Sequence, residues 1–155
     1  MKKSLMILAA ASAFAGFGAI AQDAEDPFKD TVEIRHGLML QMATDVGTMG
    51  RMAKGEVPYD APAATKAAAN VAAIASVLAM AQFPAGSEYE KSADSFALPD
   101  IWAKPDDFLA KITDLNAAAV AMQGAAGDAE TLKTAMAGLG AACSACHKAY
   151  RQPES

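Results

Sequence analysis

From residue 27 onward, apolar side chains return every three or four positions in four successive stretches, the period of a helix with one buried face. In the first stretch Val32, Arg35, Met39, Met42, Val46 and Met49 form one narrow stripe. It predicts a helix from Pro27 or Asp30 to Lys54, ended by Gly55-Glu56-Val57-Pro58. A second helix is expected from Ala61-Pro62, where proline suits the first turn, to Gln82, burying Ala67, Val71, Ile74, Leu78 and Ala81. Phe83-Pro84-Ala85-Gly86 stops it. The third is expected from Pro105 or Asp106 to Gln123, with Phe108, Ile112, Leu115, Ala119 and Met122 inward. The fourth, from Asp128 to Tyr150, carries Leu132, Met136, Leu139, Cys143 and Cys146 on its inner face. No segment alternates as a strand does, and no hairpin signal is present. Short connections between helices one and two, and between three and four, imply antiparallel neighbours. The expected fold is therefore all-α, an up-down-up-down antiparallel four-helix bundle. Ser87 to Asp100 is the one long polar connection, and long loops in compact domains commonly cover a site.

Ahead of this pattern lies a different one. Met1-Lys2-Lys3 is a short basic run, Leu5 to Ile20 is apolar and rich in alanine, and Ala19-Ile20-Ala21 is a small-x-small cleavage site. Residues 1–21 are expected to be an export signal, leaving residues 22–155 as a single domain. The apolar run is short for a membrane span and Asp23, Glu25 and Asp26 follow it directly, so no stable membrane insertion is expected after cleavage. The chain holds 18 acidic residues against 13 lysines and arginines, a formal charge of −5, and loss of Lys2 and Lys3 makes it more acidic still. Such a surface disfavours nucleic acid and anionic lipid. It either steers the protein toward a partner with a basic docking patch or simply keeps it soluble.

The chemistry sits near the C-terminus. Cys143-Ser144-Ala145-Cys146-His147 is a CxxCH run, the attachment signature of a c-type haem. Two thiols one helical turn apart can each add across one of the two porphyrin vinyl groups. The imidazole that follows directly can reach the iron. Other uses of the same residues fit less of the chain. A redox CxxC belongs at the end of a strand in a βαβ unit, and no strand is read here. A structural zinc site needs four ligands, whereas the whole chain has two cysteines and two histidines, with His36 remote in sequence. A disulfide would leave His147 without a role. Because covalent haem attachment in bacteria occurs outside the cytoplasmic membrane, the export signal and the CxxCH run agree, and a periplasmic location is expected.

Taken together the chain resembles the class II c-type cytochromes, the family of cytochrome c′ and its low-spin relatives. The resemblance is carried by the C-terminal CxxCH with Tyr150-Arg151 after it, by Val32-Glu33-Ile34-Arg35, Pro58-Tyr59-Asp60, Phe83-Pro84-Ala85-Gly86 and Ile101-Trp102. It implies one covalent haem c near the C-terminal helix, held by Cys143 and Cys146, with His147 as the proximal iron ligand. It places Arg35 and Arg151 at the haem edge, where a guanidinium can pair with propionates. Arg151 reads equally well as a solvated arginine near a helix end. Arg35, on an apolar stripe, requires a buried partner because an unpaired charge there is costly. Phe83 and Trp102 are the aromatics expected against the porphyrin, with anchoring of the long loop as the alternative role. The resemblance also implies a homodimer through helices one and two, and periplasmic redox proteins as partners.

Function then turns on the sixth iron position. The family presents a residue there from helix one, four positions after the arginine matched to Arg35, which in this chain is Met39. A thioether is a competent soft ligand, and His/Met ligation raises the potential of electron-transfer cytochromes. Nine methionines occur in the chain, however, four of them between Met39 and Met52, and methionine on an apolar stripe commonly just fills the core. Met42, near one turn on, is the spare candidate. His36 falls at the edge of the stripe and reads as a partly exposed histidine without an iron contact. The expected function is a periplasmic electron carrier with His147 and Met39 as iron ligands. The alternative is a five-coordinate haem that binds nitric oxide or carbon monoxide, Met39 acting as a steric lid. No enzymatic role is expected, since Met39, Met42 and Val46 offer no acid, base or hydrogen-bond donor.

Overall fold

The computed structural model describes residues 25–153. The expected export signal, residues 1–21, lies outside the described residues. Four long helices form: α1 (Lys29–Ala53), α2 (Ala61–Val77), α4 (Pro105–Ala125) and α5 (Ala129–Tyr150), with a four-residue helix, α3 (Asp100–Ala103), before α4. Helix α1 packs on α2 and α5, and α4 packs on α2 and α5, which closes the antiparallel bundle.

Local chemistry fixes most of the helix ends. The Asp60 carboxylate accepts from the Ala63 amide at 2.9 Å with Pro62 in the first turn of α2, and Asp128 accepts from the Glu130 and Thr131 amides at the start of α5. The second helix stops five residues before the expected Gln82. Leu78 is extended (ψ 127°), and the Gln82 side chain folds back, accepting from the Ala79 amide and donating to the Val77 carbonyl around a 3₁₀ turn at Met80–Gln82. Ala81, expected inside, is exposed as a result. A local side-chain cap that competes with helix continuation cannot be read from apolar period alone.

The main core lies between the four long helices. Ala64, Ala68 and Ala75 on α2 are fully covered, and their small size lets that helix approach Met49, Met122, Leu132 and Leu139, all of them buried. A second, smaller core of Ile101, Phe108, Tyr150 and Ala97 closes the end of the bundle where α5 finishes. Asp45 was not expected inside. It is buried between α1 and α2, where its two carboxylate oxygens accept from Gln41 Nε2 (2.9 Å) and Asn70 Nδ2 (3.2 Å). A buried carboxylate needs such donors, and this pair pins the register of α1 against α2.

The long connection after α2 is half interior. Ser87, Glu88, Ser92 and Ser95 are buried, and the segment is tied down from three directions. Asp26 accepts from Ser92 Oγ (2.6 Å) and from the Ala93 amide (2.8 Å). Ala97 bridges to Arg151 just past α5, with Leu98 N donating to the Tyr150 carbonyl and Gln152 N to the Phe96 carbonyl. Gly86, at φ +100°, lets the Phe28 ring close on its backbone; a Cβ there would stand 2.7 Å from that ring. Gly86→Ala is therefore expected to cost about 1–3 kcal/mol, through both the left-handed backbone and the displaced ring. Thermal unfolding checks this, and a wild-type melting temperature in the variant would contradict it.

Candidate functional site

One cavity of about 590 Å³ opens at the end of the bundle between α1, α4, α5 and the long loop. That volume falls within the range of cofactor pockets, about 300–1,000 Å³. Cys143, Cys146 and His147 enter it from α5, and Met39 and Met42 from α1. The two cysteines are not bonded to each other. Cys143 packs against the main core and Cys146 against the smaller one, so the pair straddles the junction of the two. Burial pushes both thiols up, Cys146 to about 11, with the neighbouring Cys143 adding to the effect. Reactive redox dithiols need the opposite, a lowered thiol pKa. Among the described residues no group of three or more His, Cys, Asp and Glu side chains is placed to hold a metal ion.

Arg35 is 4% exposed and lines the cavity, and its partners are neutral. Nη1 donates to Ser87 Oγ (2.8 Å) and the Gln82 carbonyl (3.2 Å); Nη2 donates to the Ser87 carbonyl and Ser95 Oγ, both at 2.6 Å. Its guanidinium also lies over the Phe83 ring, 5.2 Å from the centroid. Burial pulls its pKa down, the expected effect of desolvating a cation. The buried partner that the sequence required is thus the loop itself.

Phe83 lines the cavity and starts an edge-to-face series, Phe83 to Phe108 at 4.9 Å and Phe108 to Tyr150 at 5.2 Å between centroids. Trp102 is not among the lining residues; its Nε1 donates to the Phe83 carbonyl at 3.0 Å, the loop-anchoring role. Arg151 lines the cavity and its side chain is exposed. Met39 is half-buried at the cavity wall and packs on the edge of the main core, and Met42, 4% exposed, sits within that core and also lines the cavity. His36 also lines the cavity, its ring 5.7 Å from that of Phe96.

Six lining residues carried no sequence signal of their own, Leu40, Ala43, Phe96, Ala97, Lys111 and Gln152, and Tyr150 carried one only as the last residue of its helix and the neighbour of Arg151. Lys111 stands 3.8 Å from Asp107 on the same helix, and Tyr150 Oη donates to the other oxygen of that carboxylate at 2.5 Å. Burial and the Asp107 bond push the Tyr150 phenol up to about 12, so it stays a donor throughout the neutral range. Every fully charged residue in the lining, Arg35, Lys111 and Arg151, is cationic, although the chain as a whole is acidic. An apolar slot with two thiols one turn apart, an imidazole beside them and a cationic rim suits a flat, apolar group bearing carboxylates. Haem c fits that description.

Comparisons with known proteins agree with the geometry. The model of the family described as Cytochrome C' matches residues 30–151. The chain is 51% identical over 137 residues to a cytochrome c-554 of Cereibacter sphaeroides, covering 88% of this chain and 89% of that protein. The solved structure titled cytochrome c′ from Rhodobacter Spheriodes superposes with a TM-score of 0.78 at 30% identity, covering 82% of this chain and 98% of that one. A nitric oxide complex of a single-site mutant of cytochrome c prime from Alcaligenes xylosoxidans superposes with a TM-score of 0.72, also at 30% identity, over 81% of this chain and 97% of that one.

Proposed function

Since the chain belongs to the cytochrome c′ family, we propose that it is an exported electron carrier whose single haem c is tethered by Cys143 and Cys146 and ligated by His147 and Met39. When bound, the iron porphyrin supplies reversible one-electron chemistry. The protein's part is to hold, shield and tune. Cys143 and Cys146 fix the group to α5, and Phe108, Leu115 and Ile112 keep water from one side of the slot. Arg35 places a positive charge in the wall without a carboxylate beside it, which favours the state with one more electron. A periplasmic site of action follows from the export signal and the CxxCH run. No helix among the described residues is long and apolar enough to cross a membrane.

The observation that carries the ligand assignment is the division of labour on α1. Both Met39 and Met42 line the cavity and touch the main core, but Met42 is 4% exposed inside that core, while Met39, one turn after Arg35, is half-buried at the wall of the cavity that also holds His147. A core-filling methionine gains by full burial, and Met39 does not take it. The second reading, a five-coordinate gas-binding haem, draws on the likeness to a protein solved with nitric oxide and on the apolar character of Met39, Leu40 and Val46.

Absorption spectra separate the two. Narrow split bands in the ferrous protein, and the weak red-edge band of a thioether on ferric iron, are expected for the native chain. Met39→Ala should then yield broad high-spin bands and rapid carbon monoxide uptake. A native spectrum that is already high-spin removes Met39 from the iron and leaves the gas-binding reading, whereas a low-spin spectrum unchanged by the substitution removes Met39 in favour of another sixth ligand such as Met42.

A further inference from the structure

On the α1 side, the cavity is closed toward α2 by buried Met42 and Leu78, and toward the loop by a different kind of contact. There the His36 ring faces the Phe96 ring at 5.7 Å with a 34° tilt, and both side chains line the cavity. Phe96 is anchored and loose at once. Its carbonyl accepts from Gln152 N at 2.8 Å and the next residue bridges to Arg151, so its backbone is locked to the segment that ends α5. The residue is nevertheless 45% exposed, and the ring it faces is that of His36. A rigid hinge with a half-exposed ring, set across a cavity mouth from a second ring on a rigid helix, has the parts of a swinging door.

We infer that the Phe96–His36 pair is a side-chain gate controlling how fast a small uncharged ligand reaches the α1 face of the cavity. The inference rests on the cavity holding haem c, and it is independent of whether Met39 ligates. Rotation of the Phe96 side chain away from His36 opens a path beside Met39 without moving the loop backbone, which Arg35 and the Arg151 bridge hold in place. Size decides passage. The doorway is formed by two rings, so a diatomic passes on a rotamer flip and a ring-sized ligand does not.

A gate lowers or raises a barrier common to entry and exit, so it changes both rates by one factor and leaves the equilibrium constant alone. This separates it from a change in pocket polarity or packing. The test is carbon monoxide binding to the haem-loaded ferrous protein by flash photolysis and stopped flow, in a Met39→Ala background that keeps the sixth position open. Phe96→Ala is expected to raise entry and exit rates together by about tenfold, and Phe96→Trp to lower both, with the dissociation constant held within about twofold. Phe96→Ala should also admit imidazole to the ferric protein, and the parent is expected to exclude it. Equal entry rates in the Ala and Trp variants, or a dissociation constant that moves with the rates, overturn the gate.

The same comparison in the native background distinguishes failure of the gate from failure of Met39 ligation. If Met39 ligates, uptake reaches a ceiling at high carbon monoxide that no Phe96 variant changes. If it does not, the gate's ratio of rates appears there directly. Should Met39→Ala fail to accumulate, Met39→Leu serves as the open background, because it keeps the volume and removes the thioether.

Discussion

Arg35→Ala is expected to destabilise the folded protein by about 2–4 kcal/mol and to release the loop between α2 and α3 before the bundle unfolds. Two effects oppose each other at this position. Burying a guanidinium with no carboxylate beside it is costly, and its lowered pKa reflects that cost. Against this, the four Nη–H bonds serve two backbone carbonyls and two hydroxyls, and two of these acceptors, Ser87 Oγ and the Gln82 carbonyl, depend on the arginine most. Ser95 Oγ donates to the Ser87 carbonyl at 2.7 Å and accepts from the Ala97 amide at 3.3 Å, so truncation falls hardest on the fully buried Ser87 hydroxyl and on the Gln82 carbonyl. It also strips the Phe83 ring of its cation. Loss of the bonds should therefore outweigh relief of the charge.

Conservative variants distinguish these contributions. Arg35→Met keeps much of the volume, removes the charge and should fall between wild type and alanine. Arg35→Lys keeps the charge but concentrates its donors on one atom, which cannot serve Gln82, Ser87 and Ser95 together. It should lose nearly as much as alanine. Denaturant unfolding gives the magnitude, and hydrogen exchange at the Tyr89 and Leu98 amides, which bond to the Ala97 and Tyr150 carbonyls, reports the loop. A lysine variant as stable as wild type would falsify the fork-geometry account.

A larger effect is expected from Cys143→Ser together with Cys146→Ser. With neither thioether available, acid–acetone extraction should leave colourless protein without the added mass of haem. The physical consequence extends to the fold. At ~24 cal/mol per Å³ of unfilled apolar volume, a 590 Å³ cavity corresponds to an upper bound on the order of 14 kcal/mol, comparable with the whole stability of a domain at about 5–15 kcal/mol. Water entering an open mouth reduces that figure without removing it. The variant should keep most of its helix content, lose near-ultraviolet dichroism and bind a hydrophobic dye, the signs of a molten state. A variant that retains sharp tertiary packing would mean that the bundle, rather than the haem, holds the cavity open.

Arg35 and the two cysteines differ in how far the amino-acid order makes them legible. The period of three and four gave the four long helices to within a residue or two at most ends, because burial of one face is a property of neighbours in sequence. The CxxCH spacing and its neighbour His147 were likewise local, and so was the stacking of Met39 one turn after Arg35. Where a helix end depends on a side chain returning to the backbone, as Gln82 does, the period misled. Asp45 was missed for a related reason: its donors Gln41 and Asn70 come from two helices, and only their packing brings both to one carboxylate.

The sequence by itself determined the helices, their antiparallel order and the placing of two thiols and an imidazole within one turn of α5, since each follows from residues within a few positions of one another. Tertiary structure decided which groups enclose that chemistry. Arg35 meets Ser87 and Ser95, Phe96 meets His36, and Tyr150 meets Asp107 across separations of 43 to 60 residues. Contacts of that reach are set by how a tethered loop folds over the end of a bundle, and no local period encodes them.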